Sequence, residues 1–383
     1  MKIAIFSDNF YPELSGISDS IILLSKELDK LGHKIDFYVP ECKRGGEMEL
    51  NLGQNIKINR LFSLPASFVG DKARLVLPVL FRPTYKKFKA DIIHSQLFFG
   101  VGLEALALAK FFKIPLIGTN HTSITDFVSG AYVKNQSLKY ATWYYNRCDY
   151  VTAPSQSVFD EMGSYGFNRP RRVISNPVNM EIFYPLKDKL KFKKKLKLSE
   201  PTIVCAGRLS AEKNIQLVIK AFARAKRKIK DINLAIAGAG KRDAELRRLA
   251  GKLGVSNQVK FLGSLSHAKL AELYNAADIY AIASTSETQS LTLMQALACG
   301  LPAVAVKARA LPEYVNDKNG FAVKPGDEKA MAEKFILLLE NQKMRENLSN
   351  GAVVYAQQFS APKIAKKWES LYGEVIKNFH QST

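Results

Sequence analysis

Short β-branched runs alternate along this chain with segments whose apolar residues recur at helical spacing. Residues 2–7, 34–39, 56–61, 91–94, 116–120, 150–153 and 172–174 read as strands, and 19–31 and 103–112 as the clearest helices between them. Such alternation predicts a parallel sheet covered by helices. At Asn176-Pro177-Val178-Asn179 the pattern breaks, and the lysine-rich stretch 187–197 reads as a solvated helix at a domain junction. A second series comes next, with strands expected over 202–206, 233–237, 259–262, 279–283, 303–306 and 321–323. Its expected helices span 215–226, 241–253, 268–276 and 291–299. Over 362–379 the helical spacing of Ile364, Trp368, Leu371, Tyr372, Val375 and Ile376 predicts an amphipathic helix that packs back across the junction.

The fold class expected from this pattern is α/β, with two doubly wound Rossmann-like domains over residues 1–184 and 185–359 and a returning helix within 360–383. Open sheets of this kind bind ligands beyond the carboxyl ends of their strands, which places the expected site in a cleft between the two domains. A length of 383 residues suits two domains, and 47% hydrophobic with 24% charged residues leaves no room for extensive disorder.

Charge narrows the partners. A net charge of +21 suits nucleic acid, an anionic membrane surface or a phosphorylated small molecule, and equally simple solubility. No DNA-reading motif or aromatic-rich RNA signature is present, so nucleic acid is the weakest of these. Cys42, Cys148, Cys205 and Cys299 lie far apart, which fits a reducing cytosol rather than a disulfide framework or metal pairs. The first strand reaches Asp8 too early for a secretory signal, and residues 97–118 carry Glu104, Lys110 and Lys113, too many charges for a membrane span. Membrane contact is therefore expected to be peripheral. Residues 69–89 mix cations such as Lys72, Arg82 and Lys86 with Leu75, Val76, Leu77, Val79, Leu80, Phe81, Tyr85 and Phe88, which suits docking on an anionic bilayer or, equally, a loop and half-buried helix of the first domain.

Two blocks carry candidate chemistry. Gly207-Arg208-Leu209-Ser210-Ala211-Glu212-Lys213-Asn214 follows an apolar strand and opens a helix. There, free backbone N–H groups and two cations suit a diphosphate, the alternative being a turn with solvated cations. Ser284-Thr285-Ser286-Glu287-Thr288-Gln289-Ser290-Leu291 leads from a strand into a helix. Glu287 there is either a sugar-binding carboxylate or an acid that merely favours the helix dipole. His121, at the end of a strand in Gly118-Thr119-Asn120-His121-Thr122, is either a site histidine or a structural one.

Together these blocks resemble the donor site of retaining GT-B glycosyltransferases of family four. The segment Leu311-Pro312-Glu313-Tyr314-Val315, with Asn319-Gly320 and Pro325-Gly326-Asp327 after it, resembles the next stretch of the same family's pattern. The resemblance covers essentially the whole chain and implies transfer of a hexose from a nucleotide diphosphate-sugar of the UDP-glucose or GDP-mannose type. Arg208 and Lys213 would hold the diphosphate beside Gly207, Glu287 the sugar hydroxyls, and Ser290 and Leu291 the phosphate through backbone N–H groups. The base would lie near 259–263, at Gly263. Gly16 would permit close approach of donor and acceptor, His121 would stand at the reaction centre, and Asp126 would orient the acceptor. Arg208, Lys213, Glu287 and His121 are thus the expected catalytic set.

Two departures stand out: Gln295 where the family usually has Glu, and Ala310 where it usually has Gly. An amide offers one acceptor oxygen to the ribose hydroxyls instead of a carboxylate's two. No Asp-x-Asp pair or His–Cys cluster occurs, so metal-independent transfer is expected, with no cofactor beyond the nucleotide-sugar substrate. The details Ser15-Gly16-Ile17, His121-Thr122 and Glu287-Thr288-Gln289 look most similar to the branch that glucosylates diacylglycerol or mannosylates phosphatidylinositol. A lipid acceptor at the inner face of the cell membrane is the resulting expectation. A soluble or polysaccharide acceptor is the alternative within the family, and a non-catalytic basic nucleotide- or nucleic-acid-binding protein the alternative outside it.

Overall fold

The computed structural model describes the chain apart from residues 12–15, 42–51, 66–73, 77–84, 86–87, 123–130, 188, 197, 199–200 and 383. It divides into two units, Met1–Pro177 with Ala361–Thr383, and Val178–Ser360. In the first unit the elements run β1 (Lys2–Phe6), α1 (Gly16–Lys30), β2 (Lys34–Pro40), β3 (Ile56–Leu61), β4 (Leu64–Pro65), β5 (Arg74–Leu75) and β6 (Ile92–Ser95). They continue α2 (Gly100–Phe112), β7 (Leu116–Thr119), α3 (Ala131–Tyr145), β8 (Tyr150–Ala153), α4 (Gln156–Gly163) and β9 (Arg171–Val173). Seven strands form one parallel sheet in the order β3-β2-β1-β6-β7-β8-β9, with β4 and β5 as a separate antiparallel pair.

The second unit holds α5 (Lys189–Lys195), β10 (Thr202–Ala206), α6 (Ile215–Lys228), β11 (Asn233–Ala237), α7 (Asp243–Lys252), β12 (Val259–Phe261) and α8 (His267–Ala276). It continues β13 (Ile279–Ile282), α9 (Leu291–Ala298), β14 (Ala303–Val306), α10 (Leu311–Tyr314), β15 (Gly320–Val323), α11 (Glu328–Glu340) and α12 (Gln342–Ala356). Its six strands are all parallel, in the order β12-β11-β10-β13-β14-β15. β11, β13 and β14 are buried along their whole length, which is why they read in sequence as unbroken apolar runs.

The last helix, α13 (Ala361–Ser382), returns to the first unit. Its stripe of Ile364, Trp368, Leu371, Tyr372 and Val375 joins the core on the α1 side of the sheet. Glu369 pairs with His33 at 2.9 Å and Glu374 with Arg172 at 2.9 Å at the margins of that stripe. The chain leaves the first unit after Pro177, earlier than the boundary expected at residue 184. The reason is packing: Val178 donates to the Phe359 carbonyl at 2.8 Å, and Phe183 is buried against Tyr274 and His267 of the second unit.

One further expectation is corrected. The lysine-rich helix at the junction is not simply solvated. α5 buries Lys193, whose Nζ lies 2.9 Å from one Asp278 carboxylate oxygen while Lys189 lies 2.6 Å from the other. Asp278 also accepts from the Thr202 N–H at 2.8 Å, so the carboxylate ties the helix to the start of β10. Of the two readings of 69–89, Val76, Tyr85 and Phe88 follow the one that makes them part of the first domain, since they are core residues of the first unit; most of the rest of 69–89 lies outside the described residues.

Burial works against ionisation of Asp278, but the fields and hydrogen bonds of Lys189 and Lys193 outweigh it and hold the carboxyl below its usual range. A depressed carboxyl stabilises the fold above the unfolded-state value, and that contribution is lost as pH falls through the folded-state value. Asp278→Asn leaves Lys193 buried without its counter-charge and is expected to cost about 3 kcal/mol at pH 7. Urea unfolding at pH 7 and pH 3 checks both points: the gap between wild type and variant should narrow in acid.

Candidate donor and acceptor sites

In the second unit, β10 is flanked by β11 on one side and β13 on the other, so the direction of strand addition reverses there. The loops after β10 and β13 therefore leave the sheet side by side, in opposite senses, which opens a crevice at their carboxyl ends. One carries Gly207 to Asn214 and the other Ser284 to Ser290. The Thr285 N–H donates to the Glu212 carbonyl at 3.1 Å and couples the two loops directly.

The first loop is shaped by backbone packing. Gly207 has φ +146° and Gly238, at the end of β11, φ +139°. A Cβ on Gly238 would stand 1.8 Å from the Gly207 carbonyl oxygen, so the two turns can touch only as glycine at that position. Gly207 and Leu209 donate to Ala237 and Ala239 across this contact, each at 3.0 Å. Gly263 closes the next turn along, with φ +66° and its carbonyl accepting from Gly238 N–H at 2.7 Å.

On this frame Lys213 and Glu287, 74 residues apart in sequence, form an ion pair at 2.6 Å. Glu287 is buried, and its own carbonyl accepts from the Ala310 N–H at 3.1 Å. Ala310 is fully buried, so the methyl group that replaces the family's usual hydrogen is absorbed by the core. Arg208 stays largely exposed and lies 3.4 Å from Glu212. Glu212 also accepts from Ser210 at 2.5 Å. Burial raises its carboxyl pKa, but that hydrogen bond leads the effects that bring it below the usual value. Glu212 lies inside the quoted block, but the block gave it no role beside Arg208.

α9 begins beside this pair. Ser290 caps it, its hydroxyl accepting from the Leu293 N–H at 3.4 Å, and Leu291 is the first helical residue. Thr292 in the first turn donates to the Ala206 carbonyl at 3.3 Å and accepts from Tyr280 at 2.8 Å, which fixes the helix start to the end of β10. First-turn amides have no partner within their own helix, so this end of α9 offers donors to an anion. Gln295, half-buried, lies in the same helix farther from its start.

In the first unit, Gly16 is the first residue of α1, and its carbonyl accepts from Ser20 at 2.6 Å. Ser20 and His121 line one small cavity with His94, Gln96 and Trp368. His121 Nε2 donates to Gln96 Oε1 at 2.6 Å; an amide oxygen only accepts, so this fixes the proton on Nε2 and leaves Nδ1 as the accepting nitrogen of a neutral ring. Burial lowers the His121 pKa to about 4. Behind it, His94 is bonded to Thr119 at 2.7 Å and to Tyr372 of α13 at 2.7 Å. Burial, with a contribution from His121, takes His94 to about 3. Asp126 lies outside the described residues.

Sequence reasoning passed over two polar groups here. Gln96 sits just past β6, at the carboxyl edge where ligands bind in such sheets, and that position was the available signal. Asp8, just past β1, accepts from the Val101 N–H at 3.2 Å, and burial pushes its carboxyl up to about 7. Among the described residues, no group of three or more His, Cys, Asp or Glu is arranged to hold a metal ion.

The whole chain has known relatives. Residues 14–182 match the family described as Glycosyltransferase Family 4, and residues 187–353 match Glycosyl transferases group 1. An alpha-monoglucosyldiacylglycerol synthase of Streptococcus pneumoniae is 30% identical over 98% of this chain and 86% of its own length. A D-inositol 3-phosphate glycosyltransferase of Corynebacterium glutamicum is 25% identical over 99% of this chain and 98% of its own. Among solved structures, Anabaena Alr3699/HepE superposes with a TM-score of 0.83 in complex with UDP and 0.80 in complex with UDP-glucose. It is 20% identical in the UDP complex, which covers 98% of this chain and 100% of that one. With both halves matched in order and a relative of this identity along nearly its full length, the chain belongs to the group 1 and family 4 glycosyltransferases and has their GT-B fold.

Proposed function

We propose that this glycosyltransferase moves a hexose, with retention and without a metal ion, from a UDP-glucose or GDP-mannose type of donor onto a membrane lipid such as diacylglycerol. The observation that carries the donor half is the Lys213–Glu287 pair beside the start of α9. Cleavage of a sugar–diphosphate bond builds negative charge on the departing phosphate. Lys213, Arg208 and the backbone amides of Ser290 and Leu291 at the start of α9 supply fixed positive charge to receive it, with Gly207 permitting close approach. Glu287, held by Lys213, is set to accept hydrogen bonds from sugar hydroxyls. The base would rest near Gly263 and the ribose near Gln295. In the first unit a neutral His121, with Gly16 and Asp126, would face sugar and acceptor.

The UDP and UDP-glucose bound to Alr3699/HepE support a uridine nucleotide donor, and the Streptococcus pneumoniae synthase supports diacylglycerol as acceptor. The Corynebacterium glutamicum relative, named for D-inositol 3-phosphate, favours a soluble acceptor as the second reading. A protein working on a bilayer lipid would act as a peripheral enzyme at the inner face of the membrane; among the described residues no helix is long and apolar enough to cross it.

The deciding assay is nucleoside diphosphate release from UDP- and GDP-sugars, with anionic liposomes containing diacylglycerol or with soluble inositol phosphate. Lipid-dependent release with a labelled glycolipid is the expected result; release with soluble acceptor alone selects the second reading. Glu287→Gln should lower kcat at least about 100-fold, as loss of a group aimed at the transition state does, and should also lower the thermal unfolding midpoint, because the part-buried Lys213 loses its counter-charge. Arg208→Ala, removing an exposed side chain, should weaken donor binding about tenfold with no loss of stability, read by calorimetry with the nucleoside diphosphate. Because His121 stays neutral down to about pH 4, an NMR titration of its ring should show no protonation near 6.5, and kcat/KM should show no His121 limb there.

A further inference from the structure

α3 is an unusual surface helix. Its buried residues, among them Leu138, Ala141, Tyr144 and Tyr145, fall on one side and join the core of the first unit. On the other side the stripe Tyr132, Gln136, Lys139, Trp143 points outward at helical spacing. Tyr132 is 74% exposed and Trp143 41% exposed. Trp143 is stacked on Tyr140 at 5.8 Å, and Tyr140 in turn on Phe99, itself 49% exposed, at 5.9 Å. These rings thus form a continuous aromatic ladder open to solvent.

The charges on α3 itself have one sign, and the acid whose field reaches the ladder, Asp8 beside Tyr140, is buried. α3 contains no Asp or Glu; Lys134 and Lys139 lie on it, and Arg147 just beyond it stacks over the Trp143 ring at 4.1 Å. Arg147 is anchored there by donating to the Trp143 carbonyl at 2.9 Å. Exposed tryptophan and tyrosine beside lysine and arginine, without acids, is the composition that partitions into the headgroup layer of a bilayer. The rings enter the interface with their polar edges wet, and the cations meet anionic lipid.

We infer that the outward face of α3, centred on Trp143 and Tyr132, docks this enzyme on an anionic lipid bilayer. The choice of a bilayer as occupant rests on the lipid-acceptor reading of the function; the choice of this face rests on the ladder and its cations. Of the apolar residues of the 69–89 candidate, Val76, Tyr85 and Phe88 are committed to the core, and Leu77, Val79, Leu80 and Phe81 lie outside the described residues.

The chain has two tryptophans, and the other, Trp368, is 4% exposed in the core, so fluorescence isolates the event. The full-length protein is mixed with vesicles of phosphatidylcholine alone or with phosphatidylglycerol added, without donor. Phosphatidylglycerol vesicles should bind it, shift the emission to the blue and protect it from acrylamide. Trp143→Phe should abolish both optical changes, and Lys139→Glu, an exposed reversal that leaves the ladder intact, should weaken binding about tenfold. Vesicle binding with the Trp143 signal still fully quenchable, or with Lys139→Glu binding as tightly as wild type, would overturn the inference and leave the lipid-acceptor reading standing. No binding to either vesicle would also overturn it, and transfer to diacylglycerol presented in detergent would then show whether the lipid-acceptor reading survives.

Discussion

Parallel strand pairing is the constraint on which the other features of this molecule depend. A parallel neighbour cannot be reached by a tight turn; the chain must travel back along a face of the sheet, and here it does so largely through helices. Every strand of each main sheet therefore ends at the same edge, and every loop after a strand emerges there. In the second unit that brings the loops after β10 and β13 together around the reversal of strand order, although their sequences are far apart. The meeting of Lys213 with Glu287 is a consequence of this geometry, reinforced by the Thr285–Glu212 backbone bond.

The same constraint decides what could be read from sequence. Strands buried on both faces must be apolar without interruption, so β10, β11, β13 and β14 were legible almost residue by residue. The glycine of the Gly207 loop was legible because positive φ restricts residue type. α3 was not, because a helix that shows aromatic residues to solvent as well as to the core has a weak periodic signal. Nor was the role of α5. Its lysines look like a solvated run until Asp278, 85 residues from Lys193, is placed beneath them, and no local pattern announces a partner that distant.

Buried polar chains supply what the apolar cores cannot, namely orientation. Tyr372, His94 and Thr119 form one such chain, extended by the 2.6 Å contact of Thr119 with Thr152, and Gln96 links it to His121. Each member satisfies another within the buried interior, so the orientation of the His121 ring is fixed in part by residues well behind it. His94 gave no signal in the sequence because its importance lies in what it holds, not in a spacing, and Gln96 was marked only by its place just past β6.

The return of α13 to the first unit has a consequence for how the protein is made. Residues up to Pro177 leave the ribosome before the second unit, but the stripe that covers the α1 side of their sheet, and the hydroxyl that completes the His94 hydrogen bonds, belong to a segment synthesised after it. Val178–Ser360 is contiguous and can close its core as it emerges, whereas the first unit must wait with an uncovered apolar surface until that has finished. The earlier-born half of the molecule is thus the later to mature, and during synthesis it is the half most in need of protection from aggregation.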